Sequence, residues 1–377
     1  MAKIDVVHVI TSLRRGGTET MLAKLLKVMD AGRFRQTVMV LQDKGDLGAR
    51  IEQIGVPVIP LYMRGAFDVP RVVMQMRAFL KKARPHIVQT WLYHADFVGT
   101  LAAKAAGGSR VIWNVRCSNM NFQDYNPTTR LICSLLARMS SVPDLVISNS
   151  FTGQTAHREL GYRPREWRVL PNGFDTERFR PDTARAAVFR KALGVGAKIP
   201  LIGLPARLDP MKDHDNFLNA AALLKGDLPE AHFILIGRGL TSENAEFVSR
   251  IKGRGLDGRV RLLGERDDME TVMAGLDIVT LCSAYGEGFP NVLGEGLSCG
   301  ALCVATDVGD SAVVVGPYGR IVAPRQPEDL AGAWREMLAL GPERRHEMGV
   351  QARRHILEHY SLPAIGRAYE DLYISVA

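Results

Sequence analysis

Tyr285-Gly286-Glu287-Gly288-Phe289-Pro290-Asn291-Val292-Leu293-Gly294-Glu295-Gly296 is the stretch from which the rest of this chain can be read. It follows an apolar run, Asp277 to Cys282, that reads as a buried strand, and it leads into a small-residue segment, Val292 to Cys299, that reads as a helix. A glycine-rich loop between a strand's carboxyl end and a helix amino terminus presents backbone N–H groups and a positive dipole end to a phosphate or a hydroxyl. Glu287 falls on the loop and Glu295 on the helix, with seven residues between them. As acceptor-only groups, two such carboxylates can hold vicinal hydroxyls. The plainer reading has Glu287 capping the helix and Glu295 solvated on its surface.

Outward from this stretch, short apolar runs alternate with longer helical patterns. The first series is Ile4 to Ile10, Thr37 to Val40, Val56 to Ile59, Ile87 to Thr90, Arg110 to Asn114 and Leu145 to Asn149. The second is Pro200 to Leu204, His232 to Ile236, Val260 to Leu263, Ile278 to Cys282, Leu302 to Ala305 and Arg320 to Val322. Such alternation predicts two α/β domains, each a parallel sheet wound with helices. Their expected bounds are 1–178 and 182–358. Phe174 to Pro181 lacks periodicity and is expected as the linker, and a last helix is expected over about 361–377. Ligands of open α/β sheets bind outside the strands' carboxyl ends, so a cleft is expected where the two sets of carboxyl ends meet.

At 377 residues the chain can bury two cores. No apolar run approaches the length needed to span a bilayer, and the amino terminus goes straight into a strand-like run, so neither a signal peptide nor a membrane span is expected. Cys117, Cys133, Cys282, Cys299 and Cys303 have no metal-ligand spacing, which fits a reducing, cytoplasmic setting. With 48 Lys and Arg against 40 Asp and Glu, the charge favours acidic partners: nucleoside diphosphates, anionic lipid or nucleic acid. No dense basic run with interleaved aromatics occurs, so nucleic acid is not an expected partner. Pro70 to Arg84 sets apolar residues at helical spacing beside Arg71, Arg77, Lys81, Lys82 and Arg84. It reads as a helix packing its apolar stripe on a sheet, or else as one resting on an anionic membrane.

Two apparent motifs carry little. Gly253-Arg254-Gly255-Leu256-Asp257-Gly258 has dinucleotide-loop spacing but follows a helix and precedes a strand, the reverse of the required order. Asp213-His214-Asp215 has the spacing of a metal-bridging pair but opens a helix, where acidic residues suit the dipole. No metal is expected.

Several segments, in order, resemble the retaining glycosyltransferases of family 4, which fold as two facing Rossmann-like domains, the GT-B arrangement. They are Gly16-Gly17-Thr18-Glu19, Pro171-Asn172-Gly173-Phe174-Asp175, Arg207 with Lys212, the Glu287 to Glu295 stretch, and Ala305-Thr306-Asp307-Val308-Gly309-Asp310. Gly-Phe-Pro-Asn-Val-Leu and Thr-Asp-Val-Gly-Asp look like the members that build bacterial surface polysaccharides. The resemblance implies that the last helix crosses back onto the first domain. It also implies that Arg207 and Lys212 neutralise the donor's diphosphate, Arg through a planar fork and Lys as a compact charge. Glu287 matches the carboxylate on the donor sugar, with N–H groups of Gly288, Phe289 and Asn291 as further donors, and Glu295 matches the residue on the ribose. Pro290 replaces a glycine common in relatives and donates no N–H, which puts the backbone contacts there in doubt.

Gly16 and Gly17 are expected to admit the donor phosphate, with Arg14 and Arg15 beside them. Gly264 and its neighbours are placed to touch the base, uracil or guanine. His94 matches the family's histidine near the donor sugar, with the alternative of a structural role; Asp96, Arg116 and Asn119 are candidate acceptor contacts. The implied activity is a retaining, metal-independent transfer from a nucleoside-diphosphate sugar, UDP foremost, to a growing, lipid-linked surface glycan, with no cofactor beyond that co-substrate. The alternatives are a sugar-nucleotide epimerase or hydrolase on the same fold, and a non-catalytic nucleotide- or nucleic-acid-binding protein.

Overall fold

The computed structural model describes residues 3–14, 16–116 and 127–377; Arg15, Cys117 and Asn119 lie outside them. The chain divides into two units, Met1–Gly173 with Leu362–Ala377, and Phe174–Ser361. The division thus falls after Gly173, and the stretch expected as a linker belongs to the second unit.

In the first unit, seven strands form one parallel sheet: β1 Ile4–Ile10, β2 Phe34–Val40, β3 Val58–Pro60, β4 Ile87–Trp91, β5 Arg110–Val115, β6 Leu145–Ser148 and β7 Trp167–Val169. Their order is β3-β2-β1-β4-β5-β6-β7. Every residue of β4 and of β6 is buried, as expected of central strands covered by helices on both faces. β7 was not anticipated: at three residues, one exposed, it offers no apolar run to read. The helix Val69–Ala83 buries Val72, Met76 and Leu80, the packing alternative for that segment.

The closing helix, Leu362–Val376, packs against the first unit's sheet through Leu362, Ile365, Tyr369, Leu372 and Tyr373. Polar bonds fix its register. The Tyr373 hydroxyl donates to Gln89 Oε1 at 2.7 Å, the Asn114 amide donates to the Tyr369 hydroxyl at 2.9 Å, and Glu370 accepts the Asp30 N–H at 2.7 Å.

Two histidines are sealed in this unit. His8 lies between Gln36 and the Trp91 indole, and His157 between the Tyr93 hydroxyl and the Gly153 carbonyl. Burial pushes both imidazoles down to about 4, against the weaker pull of their hydrogen bonds. Unfolding returns them to about 6.5. The unfolded chain then binds more protons below that value, so the stability they confer is complete above pH 6.5 and is lost as the pH falls toward 4. Each contributes at most about 3 kcal/mol. Melting temperature is expected to drop between about pH 7 and 5, and less steeply in His8→Gln; equal slopes in the two proteins would contradict this assignment.

The second unit holds six parallel strands: β8 Leu201–Pro205, β9 His232–Ile236, β10 Val260–Leu262, β11 Ile278–Leu281, β12 Leu302–Thr306 and β13 Gly319–Val322, ordered β10-β9-β8-β11-β12-β13. In both sheets the strand order therefore reverses once, between β1 and β4 and between β8 and β11. Crevices that receive ligands form at such switch points, outside the strands' carboxyl ends. The segments leaving β8 and β11 carry Arg207, Lys212 and Glu287; those leaving β1 and β4 carry Gly16, Gly17 and His94.

The four described cysteines, Cys133, Cys282, Cys299 and Cys303, are free thiols in the two cores. Gly253 to Gly258 joins the helix Ala245–Gly253 to β10 as a turn. No described helix is long and apolar enough to cross a membrane.

Candidate active site

The segment after β8 is held from both sides. Ala206 and Leu208 donate their N–H groups to Ile236 and Arg238, which ties it to the exit of β9. Asp209 then caps a short 3-10 turn, Pro210–Lys212, accepting the Met211 N–H at 3.0 Å, with proline at the first position where no N–H is needed. Asp213 follows with left-handed backbone, φ 46°, and its carboxylate caps the helix His214–Leu223 at Asn216 N. A non-glycine residue in that conformation stores roughly 1–3 kcal/mol of strain, which the surroundings must override. They do so through the segment leaving β11: Ala284 N–H donates to Met211 O at 2.8 Å, and the Cys282 thiol lies 3.1 Å from Lys212 O.

This tether delivers the Lys212 ammonium to Glu287 Oε1, to which the Ser283 hydroxyl also donates at 2.5 Å. Both charged side chains are largely buried, 15% and 10% exposed, so the pair is shielded from the solvent screening that weakens surface ion pairs. Removing one partner would strand the other charge. The Glu287–Gly288 backbone rests in turn on the Thr306–Asp310 segment. Asp310 N–H donates to Gly288 O at 2.8 Å, and a Cβ on Gly309, φ 64°, would lie 2.4 Å from Glu287 O.

Arg207 points from the same segment into a cleft of about 510 Å³ within the second unit, lined also by Gly237, Arg238, Arg266, Asn291 and Glu295. Its guanidinium grips Asp209 at 2.8 and 3.0 Å. Burial favours the neutral Asp209 carboxyl, but the Met211 N–H and Arg207 hold it below the usual carboxylate range. Arg207 and Glu295 both line this cleft. Gly264 does not line it: its N–H and carbonyl bond Leu240 and Gly237, and Glu265 and Arg266 face the cleft instead. Phe289 contributes no side chain to it, being stacked in the core between Phe174 and Tyr360. Arg238 escaped the sequence reading, although it stands between two glycines at a strand's exit, the signal that singled out Gly16 and Gly17.

In the first unit, Gly17 begins the helix Gly17–Val28, and nothing lies within 4 Å of where its Cβ would be. Gly16 is hugged by the Glu19 carboxylate, which burial raises above its usual value against its own N–H and the charge of Arg116. Arg14 is exposed and reaches Asp43 at 3.5 Å. His94 sits half-buried in the first turn of the helix Tyr93–Ala106, after Leu92 at φ 70°, and burial lowers its imidazole below the ordinary range.

Asp96 is a correction. It is fully buried with its carboxylate on the Thr90 hydroxyl at 2.5 Å, and burial holds it well above the usual range, so it touches no acceptor. Arg116 is turned inward as well, stacked over Trp91 at 5.3 Å and bonded to Asn172.

Residues 187–355 match the family model of glycosyl transferases group 1, and residues 15–178 that of glycosyltransferase family 4. The chain is a family 4 glycosyltransferase. The glycosyltransferase is 25% identical over 248 residues to the Escherichia coli UDP-Gal:alpha-D-GlcNAc-diphosphoundecaprenol alpha-1,3-galactosyltransferase, covering 64% of this chain and 63% of that one. It is 28% identical over 331 residues to the D-inositol 3-phosphate glycosyltransferase of Corynebacterium urealyticum, covering 80% and 76%. Its fold matches that of Anabaena HepE, crystallised with UDP, with a TM-score of 0.85 at 23% identity over 99% and 100% of the two chains. Two Rossmann-like domains with parallel sheets, the GT-B class, are thus the fold of this glycosyltransferase.

Proposed function

We propose that the protein transfers a sugar, with retention of configuration and without a metal ion, from a UDP-sugar to a lipid-linked surface glycan at the inner face of the cell membrane. The observation that carries this reading is the Lys212–Glu287–Ser283 constellation beside a cleft walled by Arg207 and Glu295. UDP is favoured as the carrier because the galactosyltransferase relative is named for UDP-Gal and the fold relative was crystallised with UDP. The diphosphoundecaprenol in the former name supports the lipid-linked acceptor.

In this mechanism Glu295 takes the ribose hydroxyls, and Arg207 and Lys212 take the diphosphate. The N–H groups of Gly288 and Asn291 add donors. Lys212 has three ammonium protons; one stays on Glu287 and the others serve phosphate oxygens. Glu287 also accepts from a hydroxyl of the donor sugar. The bond from the anomeric carbon to the diphosphate oxygen breaks, and its electron pair stays on the phosphate. The acceptor hydroxyl attacks from the same face, and its proton passes to the departing phosphate oxygen. Glu287 is engaged by Lys212 and Ser283, which suits positioning rather than nucleophilic attack. The protein's part is alignment and fixed positive charge.

The first unit carries a surface suited to anionic lipid. Phe67, Tyr62 and Met74 are wholly or mostly exposed, beside Arg64 and Arg71, and an aromatic knob among cations inserts well at a headgroup boundary.

One experiment addresses these points. The pure protein is incubated with UDP- and GDP-sugars, with and without chelator and with and without anionic vesicles carrying a diphosphoundecaprenol-linked sugar. The expected result is nucleotide release from one UDP-sugar, undiminished by chelator and raised by the vesicles. Loss of release on chelation would refute metal independence, and absence of both release and UDP binding would refute the donor assignment.

A further inference from the structure

Among the described residues, every cation at the cleft but one has its own carboxylate. Arg207 is held by Asp209, Arg266 by Asp268 at 2.7 and 2.8 Å, and Lys212, farther along the Arg207 segment, by Glu287. Arg238 lines the same cleft, is exposed, and its guanidinium has neither an ion-pair nor a hydrogen-bond partner among the described residues. Glu265 and Glu295 line the cleft as well, so its three guanidiniums stand against four carboxylates. The cleft as a whole therefore does not draw in an anion. Affinity for a diphosphate must come from a cation placed against it whose charge is not already matched.

The backbone that carries Arg238 is fixed although its side chain is exposed. Leu208 N–H donates to Arg238 O at 2.9 Å, and Gly237 N–H to Gly264 O at 2.8 Å. A Cβ on Gly237, φ 151°, would lie 2.3 Å from Ala206 O, so this turn rests directly on the segment that carries Arg207. Arg207 and Arg238 thus enter one cleft from touching backbones, the first tied to a carboxylate and the second not.

We propose that Arg238 supplies the ground-state grip on the diphosphate of the nucleotide donor, a binding role separate from that of Lys212 in the breaking of the glycosidic bond. This rests on the donor reading of the cleft. A guanidinium without a carboxylate can turn its whole fork to phosphate oxygens, whereas Arg207 must share its fork with Asp209. Being exposed, the Arg238 contact is also open to screening by salt.

Calorimetric titration of the full chain with UDP and GDP, at low and high salt, tests this role. UDP is expected to bind Arg238→Gln about tenfold or more weakly than the wild type, with Arg238→Lys recovering part of the loss. High salt should erode the wild-type affinity more than that of Arg238→Gln. Because the side chain bonds nothing else in the fold, the melting temperature should not change. With a UDP-sugar, the defect should fall on KM, by about tenfold, far more than on kcat, the reverse of Lys212→Ala. UDP affinity in Arg238→Gln equal to that of the wild type, or a loss confined to kcat, would overturn the proposal. If the wild type ignores UDP but binds GDP, and Arg238→Gln weakens that binding, the role of Arg238 stands and the UDP assignment falls. If neither nucleotide binds, both fall.

Discussion

Lys212→Ala is expected to lower kcat by roughly 100- to 1,000-fold while changing the dissociation constant of UDP only a few-fold. That is the range seen when one charge-stabilising donor is removed from a developing anion. The asymmetry follows from placement. The ammonium is already neutralised by Glu287 before any donor arrives, so it adds little to ground-state binding. Its value appears when the glycosidic bond breaks and charge builds on the phosphate, an interaction stronger in the transition state than in the complex. Lys212→Ala also strands Glu287 in a buried position, so Lys212→Arg provides the control. It keeps the positive charge but replaces a compact ammonium by a fork of fixed geometry, and it should fold normally with a partial kcat defect. A turnover number in Lys212→Ala equal to that of the wild type would remove Lys212 from the chemistry.

Gly309→Ala should be damaging in a different way. The new methyl would meet the Glu287 carbonyl at 2.4 Å from a backbone held at φ 64°. Since neither partner is a flexible side chain, the Glu287–Gly288 loop must move. Strain of this kind costs roughly 1–3 kcal/mol. Displacing a positioning carboxylate by an ångström costs about 100-fold in rate. Both losses are therefore expected together, a lower melting temperature and a fall in kcat. Gly332→Ala is the matched control: that glycine lies inside the helix Pro327–Ala339 with nothing near its Cβ position, so alanine there should stabilise the fold. A Gly309→Ala protein with wild-type melting and turnover would show that this contact does not hold the loop.

The strands that bury both faces were legible because such strands are unbroken apolar runs, and six of seven in the first sheet and all six in the second were found this way. β7 was not, for Trp167–Val169 is an edge strand half open to water and has no such run. At the second unit's site, the glycine-rich loop pattern singled out Glu287 and Glu295 and the family resemblance pointed to Arg207 and Lys212, whereas their mutual arrangement was invisible. Nothing in the sequence says that Met211 O and Lys212 O meet Ala284 N–H and the Cys282 thiol, and those contacts are what turn Lys212 onto Glu287. Asp96 misled for the opposite reason. Its position after a strand is that of a ligand contact, but Thr90, six residues earlier, takes its carboxylate inside. Gly264 itself bonds Leu240 and Gly237 through its backbone, while its neighbours Glu265 and Arg266 line the cleft.

The closing helix has a consequence for how the molecule is made. Because Leu362–Val376 supplies Tyr369 and Tyr373 to the first unit's core, a ribosome has emitted every strand of that unit long before its last wall exists. The second unit, unbroken from Phe174 to Ser361, is fully specified earlier, although it begins later. The part translated first is the part finished last, and until that helix emerges its apolar sheet face opposite Tyr369 stands uncovered, the kind of surface on which nascent chains recruit chaperones.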